Sequence, residues 1–132
     1  WSPVDAVTDA TLRCVAGSHK WSKPVLPTRW LNEDKFYKDT VKYMPVPDPD
    51  AEGMKVLEWD MDPGDAVAFH YRILHGARGN ETKKRRRAFS LRLVGDDARY
   101  VERPGPTSPP FPGHNMKPGD RLREDWFPII YK

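Results

Sequence analysis

The segment 63–94, PGDAVAFHYRILHGARGNETKKRRRAFSLRLV, restricts the fold of this chain more than any other. It begins inside Asp62-Pro63-Gly64-Asp65, a turn in which proline presets φ and glycine accepts a left-handed backbone. Residues 66–74 and 87–94 then read as two strands joined by a polar loop, the pattern of a β-hairpin. Other short β-type runs are set off by turn residues. Residues 11–16 (TLRCVA) close on Gly17 and Ser18, and residues 55–61 (KVLEWDM) alternate in part. One short helix is expected over residues 32–38 (NEDKFYK), capped by Asn32. Residues 103–118 (RPGPTSPPFPGHNMKP) exclude regular structure, because proline removes ladder donors. Residues 126–131 (WFPIIY) form an aromatic tail expected to dock on the body. No internal repeat is present. Short strands, Pro/Gly turns and almost no helix indicate an all-β sandwich or barrel.

Composition bounds the function classes. At 132 residues the chain is one domain or part of one, and Trp1 falls in strand-like sequence, so residues 1–132 are expected to form a single partial domain. With 38% hydrophobic residues and 14 prolines, it lies near the lower edge for a self-sufficient core. No apolar run approaches the roughly 20 residues needed to span a bilayer, and no membrane partner is expected. Cys14 is the only cysteine, so no internal disulfide can form. It reads as a small buried hydrophobe, and a cytoplasmic location fits a lone thiol. The positive excess gathers at residues 83–87, five consecutive basic residues that phosphates could attract. No pattern of stacking aromatics accompanies them and net charge is only +3, so no nucleic-acid partner is expected.

Side chains alternate along a strand, which puts Phe69, Tyr71, Ile73 and His75 on one face and His70, Arg72 and Leu74 on the other. The His75 face is apolar and is expected to be interior. There an imidazole could hold a metal in a water-poor cavity, or serve as a hydrogen-bonded core histidine. On the returning strand Arg86, Ala88, Ser90 and Arg92 share a face. An arginine aimed into a cavity needs an anion, and its planar fork suits a carboxylate. The alternative is that residues 83–87 are a solvated turn. His75 and Arg86 stand eleven positions apart. None of the four histidines has Asp or Glu two residues downstream, so an H-x-[DE] pair is absent from the chain. His19 is expected near a cavity mouth, and His114 in a solvent-exposed loop.

The run GDAVAFHYRILHGARGN, followed by RRAFSLRLVGDDARYVERPG, resembles the phytanoyl-CoA dioxygenase family of Fe(II)/2-oxoglutarate oxygenases. CVAGSHKW resembles that family's strand ending in a Gly-Ser-His-Lys loop. The resemblance extends from Trp1 to WFP and includes Asn80 five positions and Arg86 eleven positions after His75. It implies a double-stranded β-helix, a jelly-roll barrel. It further implies that His75 is the distal histidine of a 2-His-1-carboxylate Fe(II) site and that Arg86 binds the distal carboxylate of 2-oxoglutarate. Arg85 and Arg87 are one-residue slips of that assignment, disfavoured by strand parity and spacing. Trp1 would be an aromatic of the cosubstrate pocket. The reaction implied couples oxidative decarboxylation of 2-oxoglutarate to hydroxylation of a small-molecule substrate by O₂. Its specificity would reside in loops 19–54 and 103–118. Two departures matter. The family's H-x-D motif precedes the strand that Trp1 begins and is missing here, so this chain alone is expected to be inactive. Ala77 stands where a hydroxyl residue is common. The alternative reading is a non-catalytic jelly-roll binding protein that still takes a carboxylate at Arg86.

Overall fold

The computed structural model describes residues 1–25, 43–102 and 110–131. Among these, residues 1–25 and 43–91 form one compact unit, and residues 92–102 with 110–131 form a second. The helix expected over residues 32–38 lies outside the described residues.

The first unit contains five strands: β1 (Ser2–Asp5), β2 (Arg13–Val15), β3 (Val56–Glu58), β4 (His75–Gly76) and β5 (Arg87–Phe89). Two single 3-10 turns, Thr8–Ala10 and Ser18–Lys20, accompany them. The strands form two antiparallel sheets, one pairing β1 with β5 and one ordered β3-β2-β4. The residue carrying β1 has another neighbour, since Trp1 and Val67 exchange both backbone hydrogen bonds, at 3.0 and 2.9 Å. Such reciprocal bonding is the close pair of an antiparallel ladder. The chain therefore visits the first sheet at β1, the second at β2 and β3, meets Trp1 at Val67, and returns to the second sheet at β4 and the first at β5. Strands and loops with little helix agree with the all-β reading. The described strands do not close into a barrel, and no described helix is long and apolar enough to cross a membrane.

Two sequence expectations are corrected. The segments 66–74 and 87–94 do not pair as a hairpin, because β4 pairs with β2 while β5 pairs with β1. Each strand completes the edge of a strand that would otherwise expose unpaired backbone groups. The ten residues between β4 and β5 also exceed the two to five typical of hairpin loops. Nor is 66–74 a continuous strand. Ile73 N–H donates to the His70 carbonyl at 2.9 Å, and His70 Nδ1 accepts the Arg72 N–H at 3.2 Å, so a local turn wins over the ladder. The face expected to bury Tyr71 therefore does not form, and that ring is 82% exposed. β5 stops at Phe89, opposite Ser2, where its partner strand ends.

Burial in this unit centres on β2. Val7, Ala10, Leu12, Cys14, Val15 and Met61 are buried. Cys14 lies directly opposite both Leu57 and His75, so those three share one face of the sheet. Arg13 is on the other face, where it pairs with Asp50 and Glu58, and Glu58 also takes Arg78 at 2.8 Å. The turn at residues 62–65 forms as expected. Asp65 N–H donates to the Asp62 carbonyl, Asp65 Oδ2 accepts the Asp62 N–H, and Gly64 has a φ of 107°.

In the second unit Tyr100 N–H donates to the Asp120 carbonyl and Gly119 N–H to the Tyr100 carbonyl, both at 2.9 Å. Phe111 packs against Trp126 and Phe127, with Met116 buried. The aromatic tail is split: Trp126 and Phe127 are half-buried, while Ile129, Ile130 and Tyr131 are exposed. His114 is half-buried rather than solvent-exposed. Its ring contacts Tyr100 and Trp126, and its Nδ1 accepts the Met116 N–H at 2.9 Å.

Candidate active site

His75 stands at the start of β4 with its ring 4.9 Å from that of Phe69. Its Nδ1 lies 2.9 Å from the Ile73 carbonyl oxygen. A carbonyl can only accept, so Nδ1 carries a proton, and in the neutral ring the lone pair is then on Nε2. That is the tautomer of a histidine that ligates a metal through Nε2, its other nitrogen held by a backbone carbonyl. The expectation of an interior position is corrected, for His75 is exposed. The break in 66–74 removes the apolar strand face that would have covered it.

Arg86 precedes β5 and belongs to a run of three arginines that the structure sorts. Asp5 accepts hydrogen bonds from Arg85 at 3.1 Å and from Arg87 at 2.5 Å. The hydrogen bond from Arg87, joined by the charges of both arginines, holds the Asp5 carboxyl below its usual range. Arg86 is half-buried with its guanidinium 5.5 Å from the centre of the Trp1 ring. Such a cation–π contact contributes about 0.5–1 kcal/mol and leaves the N–H fork open. Among the described residues Arg86 has no carboxylate partner, whereas both neighbours do. Trp1 and Arg86 wall a cavity of about 10 Å³, room for about one water. A dicarboxylate would have to meet Arg86 from its open side.

Asn80 shapes the loop between these two residues. Its Oδ1 accepts from the N–H and hydroxyl of Thr82, its Nδ2 donates to the Lys84 carbonyl, and Thr82 Oγ1 accepts the Lys84 N–H. This network fixes the backbone just before the arginines. A second cavity, of about 200 Å³, lies beside β2 and β4. Its wall is aliphatic and proline-rich (Val15, Val46, Pro47, Val56 and Leu74), and His75 is among its lining residues.

His19 lies in the turn Ser18–Lys20, its ring centre 5.4 Å from that of His70, and its Nδ1 is buried without a partner. Neither ring contacts His75 among the described residues. No group of three or more His, Cys, Asp or Glu that could hold a metal occurs among the described residues. His75 and Arg86 lie in the same unit, His75 on β4 of one sheet and Arg86 just before β5 of the other. Sequence reasoning missed Asp5 and the Ile73 carbonyl. Only Asp5 left a signal, as a carboxylate in a strand-like run, but nothing local told which arginines it would meet.

Comparison with known proteins gives these residues a context. The profile of the phytanoyl-CoA dioxygenase (PhyH) family matches residues 3–88, a span that includes His75 and Arg86. A Caenorhabditis elegans protein described as "Probable phytanoyl-CoA dioxygenase" is 31% identical over 110 residues, which cover 81% of this chain and 34% of that protein. The chain thus spans about a third of the length of that relative. No solved structure matches. With a profile match over most of its length and a relative 31% identical over 81% of it, the chain belongs to the phytanoyl-CoA dioxygenase (PhyH) family.

Proposed function

We propose that this chain supplies the distal-histidine and arginine half of an Fe(II)- and 2-oxoglutarate-dependent oxygenase that hydroxylates a small-molecule substrate. The observation that carries this reading is the sorting of the arginine triplet: Asp5 occupies Arg85 and Arg87 and leaves Arg86 open, eleven residues beyond His75. Family membership supports the chemistry, and the alternation of the chain between two sheets supports a jelly-roll architecture, the double-stranded β-helix.

The residues present fit the implied groups in part. In the neutral ring His75 has its lone pair on Nε2, and among the described residues the Arg86 fork has no carboxylate partner. His75 would hold the metal, Arg86 the distal carboxylate of 2-oxoglutarate, and Trp1 would flank that carboxylate. When bound, Fe(II) with 2-oxoglutarate supplies oxidative hydroxylation of a C–H bond by O₂. A non-haem site of this type needs two more protein ligands, which an H-x-D motif in a longer chain would provide. The test is Fe(II)-dependent succinate release from 2-oxoglutarate, comparing the full-length gene product with the 132-residue chain. Turnover by the full-length protein, abolished by His75→Ala, is expected. Equal silence in both, with the parent folded and iron supplied, would overturn the reading.

One observation favours a second reading: among the described residues no three-ligand cluster exists. A metal-free binding protein would take 2-oxoglutarate at Arg86 in the presence of a chelator. Calorimetry separates the two, since strict iron dependence of binding rejects the second.

A further inference from the structure

We propose that Ser18 is a positioning residue for His75, acting through the peptide that joins Ile73 to Leu74; the functional meaning rests on His75 being a metal ligand. Ser18 is 4% exposed, and its hydroxyl has two partners. It donates to the Val15 carbonyl at 2.8 Å and accepts the Leu74 N–H at 2.8 Å. The Leu74 N–H and the Ile73 carbonyl belong to one peptide unit, which is planar and trans, so fixing one fixes the other. That Ile73 carbonyl is the group that accepts the His75 Nδ1–H at 2.9 Å.

The bonds thus run in one direction, from His75 Nδ1–H to Ile73 C=O, across the peptide to Leu74 N–H, then to Ser18 Oγ and on to Val15 C=O. Each donor polarises the next acceptor along a chain that runs from the exposed His75 ring to the buried Ser18 hydroxyl. A further bond closes the arrangement, since Val15 N–H donates to the Leu74 carbonyl at 2.9 Å. Leu74 is therefore held at both its N–H and its C=O by the C-terminal end of β2. β4 is only two residues long and cannot orient the Ile73–Leu74 peptide by ladder pairing alone. Ser18 does so, and it selects the tautomer that leaves Nε2 free. Metal-binding histidines generally have their second nitrogen fixed by a backbone or carboxylate acceptor. Here the acceptor is itself oriented by a buried hydroxyl from another strand's end.

The tautomer can be read directly, without metal. In the 132-residue chain labelled with ¹⁵N-histidine, long-range ¹H–¹⁵N correlation spectra distinguish the protonated from the bare ring nitrogen. The measurement is made about two pH units above the ordinary imidazole value of about 6.5, and loss of a signal in His75→Gln assigns His75. The unmodified chain is expected to show the Nδ1–H form as the predominant species. Ser18→Ala removes the acceptor, and the expected result is loss of that predominance; Ser18→Cys, whose sulfur is a weak acceptor, falls between. An Nε2–H tautomer in the unmodified chain overturns the proposal without recourse to any variant. So does a folded Ser18→Ala chain that melts at lower temperature yet keeps the Nδ1–H form, since a merely structural serine would behave that way. Because no iron is involved, failure of iron-dependent turnover in the parent would leave this result standing and would count against the oxygenase reading alone.

Discussion

Three adjacent arginines share one charge and one set of donors, yet they have different fates. Arg85 and Arg87 reach Asp5, while Arg86 contacts the Trp1 ring. A carboxylate between two guanidiniums satisfies both, and neither then has reason to engage a ligand. This separates the residues by experiment. In the full-length gene product, Arg86→Ala is expected to weaken 2-oxoglutarate binding about ten- to a hundredfold, the equivalent of a charge-assisted hydrogen bond of about 1.5–3 kcal/mol. Arg87→Ala is expected to change affinity far less, and isothermal titration reads both. Equal losses would show that the triplet acts as a diffuse patch. Strand parity and spacing singled out Arg86 from its neighbours in the sequence. The reason its neighbours are occupied was not legible there, because Asp5 lies some eighty residues away in sequence.

At the scale of elements, β2 organises the second sheet. It was readable because Leu12, Cys14 and Val15 form a compact apolar run closed by Gly17, whose φ of 77° suits a residue without a Cβ. The segment 66–74 was misread because periodicity registers side chains and not backbone partners. His70 could offer its ring nitrogen to Arg72, and that local bond competed successfully with pairing. Across β2 and β3 lies a charge cluster with a testable pH dependence. Glu58 accepts hydrogen bonds from Arg78 and Arg13, which together hold its carboxyl below the ordinary range against a smaller opposing effect of burial. The folded value therefore lies below the unfolded one of about 4.3. The stabilisation is fully present above that pH and is lost as pH falls through the folded value. Melting temperature is expected to drop between about pH 5 and pH 3, and Glu58→Gln should flatten that slope. An unchanged slope would assign the acid sensitivity to other carboxylates.

Among the described residues the interior is sparse. In the first unit burial is concentrated in Val7, Ala10, Leu12, Cys14, Val15 and Met61, while Tyr71, Phe89 and Leu91 remain at the surface. Low hydrophobic content foretold this economy of core, and Cys14 lies where a small hydrophobe was expected. Burial there also pushes its thiol up. Leu12, 3% exposed, is expected to cost about 2–5 kcal/mol on replacement by Ala, whereas Leu91→Ala, at 57% exposure, should stay within about 0.5 kcal/mol. Chemical denaturation of the two variants checks this, and similar losses would mean that the Leu91 face is covered in solution.

The sequence by itself determined what is local or can be counted along the chain: the turn at Asp62-Pro63-Gly64-Asp65, a β-rich class, a buried Cys14, and the eleven-residue interval from His75 to Arg86. Only the tertiary structure decided that His75 sits on β4 while Arg86 precedes β5 of the other sheet, that Asp5 pairs with Arg85 and Arg87, and that Ser18 meets His75 through the Ile73–Leu74 peptide. The physical reason is that strand pairing is a competition among all available edges. A short strand such as β4 takes whichever partner completes the most backbone hydrogen bonds, and its own two residues do not record the outcome.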